Sequence, residues 1–215
     1  MSELEFEFSL RPGSDPELAP YVVEFTGKTI VWDDQEGLEK VVGEIRGYKL
    51  DLAAATVDGL DQDVLLDSVC PEISDFSQTA FAGGGCHYLQ EMADGTHSRH
   101  PCSALVYINE IMVDPDYRGK NIGTALMGKI GQMVEVENSL IALKAFPLSE
   151  EYGKRVPDTE VQRVKRFYER QGFTHIGGEF MVKQTNLCEA IKKRQTWRKR
   201  QKQSGAVYPQ SKYHA

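Results

Sequence analysis

Six residues, Arg118-Gly119-Lys120-Asn121-Ile122-Gly123, stand where an apolar run ends and a helical stripe begins. A glycine-containing turn that feeds a helix leaves backbone amides unpaired at the positive end of the helix dipole. Such a place is an anion site, and phosphates are its natural guests. Gly119 and Gly123 let the backbone come close to a bulky diphosphate, while Arg118 and Lys120 add charge-assisted contacts. Alone, a Gly-x-x-x-Gly loop is more often an ordinary turn, so its flanks decide.

Upstream lies ALVYINEIMV (104–113), a nearly continuous apolar and branched run that Asp114-Pro115 ends, as expected of a central buried strand. Downstream, an aromatic pair closes a helix before Gly-Phe, in Phe167-Tyr168-Glu169-Arg170-Gln171-Gly172-Phe173. With these flanks, residues 103–183 resemble the GNAT superfamily of acetyl-coenzyme A dependent N-acetyltransferases. The family's Arg/Gln-x-x-Gly-x-Gly/Ala motif matches Arg118 to Gly123 except at Asn121, which takes the place of the first motif glycine. Asparagine is the next most tolerant residue for positive φ, so the turn can survive. Val161 stands where many members place a cofactor-contacting asparagine.

The resemblance implies an α/β fold, a mixed and mainly antiparallel twisted sheet flanked by helices, with acetyl-coenzyme A as co-substrate. It implies that backbone groups along Ile111, Met112 and Val113 bind the pantetheine arm and polarise the thioester carbonyl. It assigns the diphosphate to Arg118, Gly119, Lys120, Asn121, Ile122, Gly123 and Thr124. Tyr168 would protonate the departing thiolate, and Glu110 would take a proton from the attacking amine, directly or through water. For Glu110 a pairing with a nearby Lys or Arg, or an orientation away from the cleft, fits equally well, because strand alternation decides whether Asn109 or Glu110 faces the cleft. The implied reaction is acetyl transfer to a primary amine, a small cationic amine or a protein lysine, by direct attack in a ternary complex. Two alternatives stay open: an RNA-linked amine as acceptor, and a non-catalytic module that binds coenzyme A for regulation.

These residues need elements to hold them. Leu4, Phe6, Phe8 and Leu10 alternate with polar residues, which predicts a strand with one buried face over 4–10. Strands are expected around 20–32 and 39–56, with a helix as the alternative for the first. The steps of Leu65, Val69, Ile73, Phe76 and Ala80 predict one helix over 62–80. Residues 83–101 read as a long loop. A helix from about 122, with Asn138 as its stop, precedes a strand over 140–146. Another helix begins near Pro157-Asp158, where Thr159 and Gln162 have capping-box spacing, and ends at Gly172. Two short strands over 173–183 divide at Gly177-Gly178.

The 215 residues carry a net charge of -7, but unevenly: residues 184–215 hold eight Lys or Arg against one acid. One domain over 1–183 with a basic tail over 184–215 fits this division. Trp197 among the cations of 192–202 allows nucleic-acid contact, which the acidic remainder opposes. That acidity favours a cationic acceptor by electrostatic steering. No apolar stretch is long enough to span a membrane, and the acidic start MSELEFEFSLRPG is unlike a secretory signal, so a cytoplasmic location is expected. Cys86, His87, His97, His100 and Cys102 have no standard metal spacing, and no metal is expected. Asp58, Asp61 and Asp63 read as solvated and helix-capping, and Thr26-Gly27-Lys28-Thr29 lacks the earlier glycine of a P-loop. The oligomeric state is not legible from sequence.

Overall fold

The computed structural model describes residues 4–33, 37–81, 103–147 and 156–185. Its strands are β1 (Leu4–Pro12), β2 (Val22–Asp33), β3 (Leu38–Asp51), β4 (Ala104–Val113), β5 (Ser139–Lys144), β6 (Thr174–Gly177) and β7 (Phe180–Gln184). They form one sheet in the order β1-β2-β3-β4-β5-β7-β6. β4 and β5 pair in parallel, and the remaining neighbours pair antiparallel. The mixed, mainly antiparallel α/β architecture expected from the sequence is therefore the observed one.

Strand alternation divides the core into two layers. Leu105 and Tyr107 of β4 join one apolar cluster with α1 (Leu52–Val57), α2 (Gln62–Val69) and α3 (Pro71–Ala80). Val106 and Ile108 join the other, with α4 (Ile122–Met133) and α5 (Asp158–Arg170). β4 thus lies between both layers, which is why its first half reads as an unbroken apolar run. All of Ala104–Ile108 is buried.

Several expectations shift on inspection. β3 ends at Asp51, whose carboxylate accepts from the Ala54 amide and starts α1, so 52–57 are helical rather than extended. The single helix expected over 62–80 is two, because Pro71 cannot continue α2 and the preceding Cys70 is extended at φ -160°. α4 stops at Met133, well before Asn138, which instead takes positive φ in the turn into β5. No capping box forms at α5: Pro157 is the cap, and Thr159 already lies inside the helix. Along β1, Phe6 is half-buried but Leu4, Phe8 and Leu10 are exposed, so its apolar face is largely open. Asp61 caps α2 through the Asp63 amide at 2.9 Å, and Asp58 accepts from the Tyr21 hydroxyl at 2.9 Å. The loop over 83–101 and the tail from 186 lie outside the described residues.

Candidate active site

The register of β4 sets the geometry. Its parallel pairing with β5 ends at Ile108 opposite Leu143, yet β4 continues to Val113 on the β3 side alone. β5 meanwhile follows β7, with Lys144 opposite Phe180 and the Ala145 amide donating to the Glu179 carbonyl at 2.7 Å. The two strands part company, and the β5 side of residues 109–113 has no strand partner among the described residues. A backbone edge of this kind can receive an extended, amide-bearing chain.

A bulge starts the parted segment. Arg46 stands opposite Glu110 and Gly47 opposite Ile108, which leaves Asn109 as the extra residue. Ile108 and, three residues later, Ile111 both pack towards α4 and α5, as does Val113. Glu110 therefore belongs to the opposite face, the side of α1–α3. There the Glu110 carboxylate meets a guanidinium nitrogen of Arg46 at 3.9 Å, while the Arg46 Nε donates to Glu44 at 3.0 Å. Glu110 thus lies beside the gap and is paired with Arg46.

Past Val113 the chain makes a 3-10 turn at Pro115–Tyr117 and enters α4. The Asp114 carboxylate holds this turn by accepting from the Asp116 amide at 2.9 Å. That amide, together with Lys40 at 3.1 Å, keeps the Asp114 carboxyl below its ordinary pKa. Gly119 takes φ +77° with open space where a side chain would be, and Asn121 takes φ 63° as the cap of α4. The asparagine accordingly adopts the left-handed geometry that the motif's glycine would supply. The amides of Ile122, Gly123 and Thr124 open the helix and have no acceptor among the described residues. Arg118 donates from Nε to the Val113 carbonyl at 3.2 Å, anchoring its guanidinium between strand end and loop.

Lys120 lies over the Tyr117 ring, with its ammonium 4.4 Å from the centroid, and Lys40 approaches the same ring at 5.1 Å. Lys40 thus adds a cation to the loop. Sequence reasoning missed it because it arrives from the start of β3, far away in the chain.

Tyr168 projects from α5 into the same layer, 5% exposed, with its ring 5.1 Å from Phe167 and 5.9 Å from Phe173. Burial raises the pKa of its phenol and keeps the proton on. Phe167 explains Gly123 from the other side: a Cβ there would lie 3.3 Å from the Phe167 ring. Glycine thus serves helix packing as well as the loop. Gln171 reaches Thr124 at 3.4 Å, joining the C-terminal end of α5 to the first turn of α4. On the opposite face Tyr107 is buried, and its hydroxyl has no hydrogen-bond partner among the described residues, a costly state unless something else satisfies it. Sequence reasoning took Tyr107 only as part of an apolar run.

Residues 79–175 match a family model described as an acetyltransferase (GNAT) domain. Over that span the chain is similar to GNAT acetyltransferase domains. The matched span contains the parted end of β4, the loop, α4 and Tyr168, and it begins upstream of the motifs read from sequence. A crystal structure of AtaTR bound with AcCoA is similar over 88% of this chain and 98% of that one, at 10% identity and a TM-score of 0.39. No curated protein matches the chain. GNAT domains use acetyl-coenzyme A as the acetyl donor, and the residues present suit it: free helix-start amides, an open Gly119 and two lysines beside the loop. Among the described residues no helix is long and apolar enough to cross a membrane.

Proposed function

We propose that this domain transfers the acetyl group of acetyl-coenzyme A to a primary amine, by direct attack while both substrates are bound. One observation carries the reading: β4 leaves β5 after Ile108 and leads, through a short turn, to the amides opening α4, which have no acceptor among the described residues. The amides and cations of Arg118–Thr124 would grip the diphosphate. The backbone of Ile111–Val113, which has no strand partner on its β5 side among the described residues, would hold the pantetheine arm as an added strand and donate to the thioester oxygen as charge develops there.

Acid and base then belong to opposite faces of the sheet. Glu110, on the α1–α3 side, accepts a proton from the ammonium, and the freed amine forms its bond to the carbonyl carbon as the carbon–sulfur bond breaks. Tyr168, on the α4/α5 side, gives its proton to the leaving sulfur, and the second proton that the new amide nitrogen sheds passes through solvent to the Tyr168 phenolate, restoring the phenol. Arg46 holds Glu110 in place. The acidic balance of the chain favours a cationic acceptor, a small amine or a protein lysine. The test is thiol release from acetyl-coenzyme A across a panel of polyamines, small amines and lysine peptides. Amine-dependent release with matching acetylated product supports the proposal; release that ignores the amine, or none, refutes it.

A further inference from the structure

The first strand of the sheet has a property that acetyl transfer does not use. β1 is an edge, and no strand pairs with its outer side among the described residues. The Gly13 amide donates to the Val22 carbonyl at 2.8 Å. In an antiparallel ladder this turns the backbone groups of odd-numbered β1 residues towards β2 and those of even-numbered residues outward. Leu4, Phe6, Phe8 and Leu10 therefore offer both amide and carbonyl to the outside. Pro12, which lacks an amide, falls in the same outward set, where a proline costs no bond to β2.

The side chains follow the same alternation. Phe6 packs towards α4, with the Lys129 ammonium 5.1 Å above its ring, so Leu4, Phe8 and Leu10 share that face. They remain 40%, 39% and 53% exposed. Glu5, Glu7, Ser9 and Arg11 occupy the other face.

We infer that β1 pairs with β1 of a second copy of this chain, antiparallel about a two-fold axis at Phe8. Phe8 is the midpoint of Leu4–Pro12, so this register pairs the whole strand. It places Phe8 opposite Phe8 and Phe6 opposite Leu10 on the apolar face. On the polar face it places Glu5 opposite Arg11 and Glu7 opposite Ser9, so both ends of the ribbon carry a cross-strand ion pair. Opposite charges across a ladder stabilise the pairing and like charges oppose it. An edge guarded against partners carries charges that repel any copy; here the two signs are arranged to complement one another under the two-fold. The outward groups of the even-numbered residues meet in the same register, extending one sheet through two molecules.

Light scattering after gel filtration, over a dilution series of the full chain, is expected to give twice the monomer mass at the concentrated end. Glu5→Arg and Arg11→Glu each set like charges opposite one another twice, and each should reduce the mass to that of the monomer. The double variant Glu5→Arg/Arg11→Glu restores the pairs and should restore the dimer. Both positions are exposed, and circular dichroism checks that the variants fold. Hydrogen exchange of the unmodified chain gives a second readout: the amides of Leu4, Phe6, Phe8 and Leu10 should be protected at high concentration and released on dilution. A monomer throughout, a dimer indifferent to the single reversals, or a double variant that stays monomeric overturns the inference. So does protection independent of dilution, which would mark a segment of the same chain on this edge.

Discussion

The two sides of β4 are built differently. Towards α4 and α5, Tyr168 is 5% exposed, Phe167 packs on Gly123, and Gln171 ties α5 to α4. Towards α1–α3 beyond the bulge, Asn109 and Met112 are exposed and Glu110 is held by an exposed Arg46. The first side suits a fixed donor whose diphosphate and thiol are the same in every turnover. The second suits an acceptor that comes and goes. Under the proposed reaction, a scaffold of this kind would keep the leaving-group chemistry rigid and leave recognition of the acceptor to surface residues and long-range charge.

That contrast can be broken at one residue on each side. Tyr168→Phe keeps the ring and the packing and removes only the proton donor. Turnover should fall on the order of 10³-fold with little change in KM for acetyl-coenzyme A. A large rise in KM with turnover intact would make Tyr168 a packing residue. The raised phenol pKa has a further consequence. The folded protein holds that proton more tightly than the unfolded chain does. The corresponding stability is intact below about pH 10, the ordinary phenol value, and is lost as the pH climbs through the raised one. Tyr168 therefore stays protonated across the neutral range.

Glu110→Gln on the exposed side should cost less, about 10²-fold near neutrality. The deficit should shrink as the pH approaches the pKa of the amine, because solvent then delivers the acceptor already deprotonated. A deficit that stays constant with pH would give Glu110 an orienting role and leave the amine's proton to another group.

The same contrast explains what could be read from the sequence. The strand, loop and helix from Ala104 to Met133 form one local run, and their order and even the tolerance of Asn121 for positive φ follow from neighbouring residues. The bulge at Asn109 does not, because it is a mismatch with β3 some sixty residues earlier, and without it the face of Glu110 stays undecided. Arg46 and Lys40 join the site through strand pairing, which leaves no mark at short range. The break at Cys70-Pro71 was visible in the proline, but the apolar spacing across it imitates one continuous helix. The exposed face of β1 shows the converse limit: alternation reports that a strand has an apolar face, and only its neighbours decide whether that face is covered.

The central claim is that the start of α4 binds a diphosphate, and calorimetry tests it most directly by comparing coenzyme A with pantetheine, which has the same arm without the nucleotide. The account predicts saturable binding of coenzyme A and, for pantetheine, affinity weaker by about 10²-fold or more, the loss of a few charge-assisted hydrogen bonds. Equal affinities for the two, or no heat with coenzyme A, would contradict it.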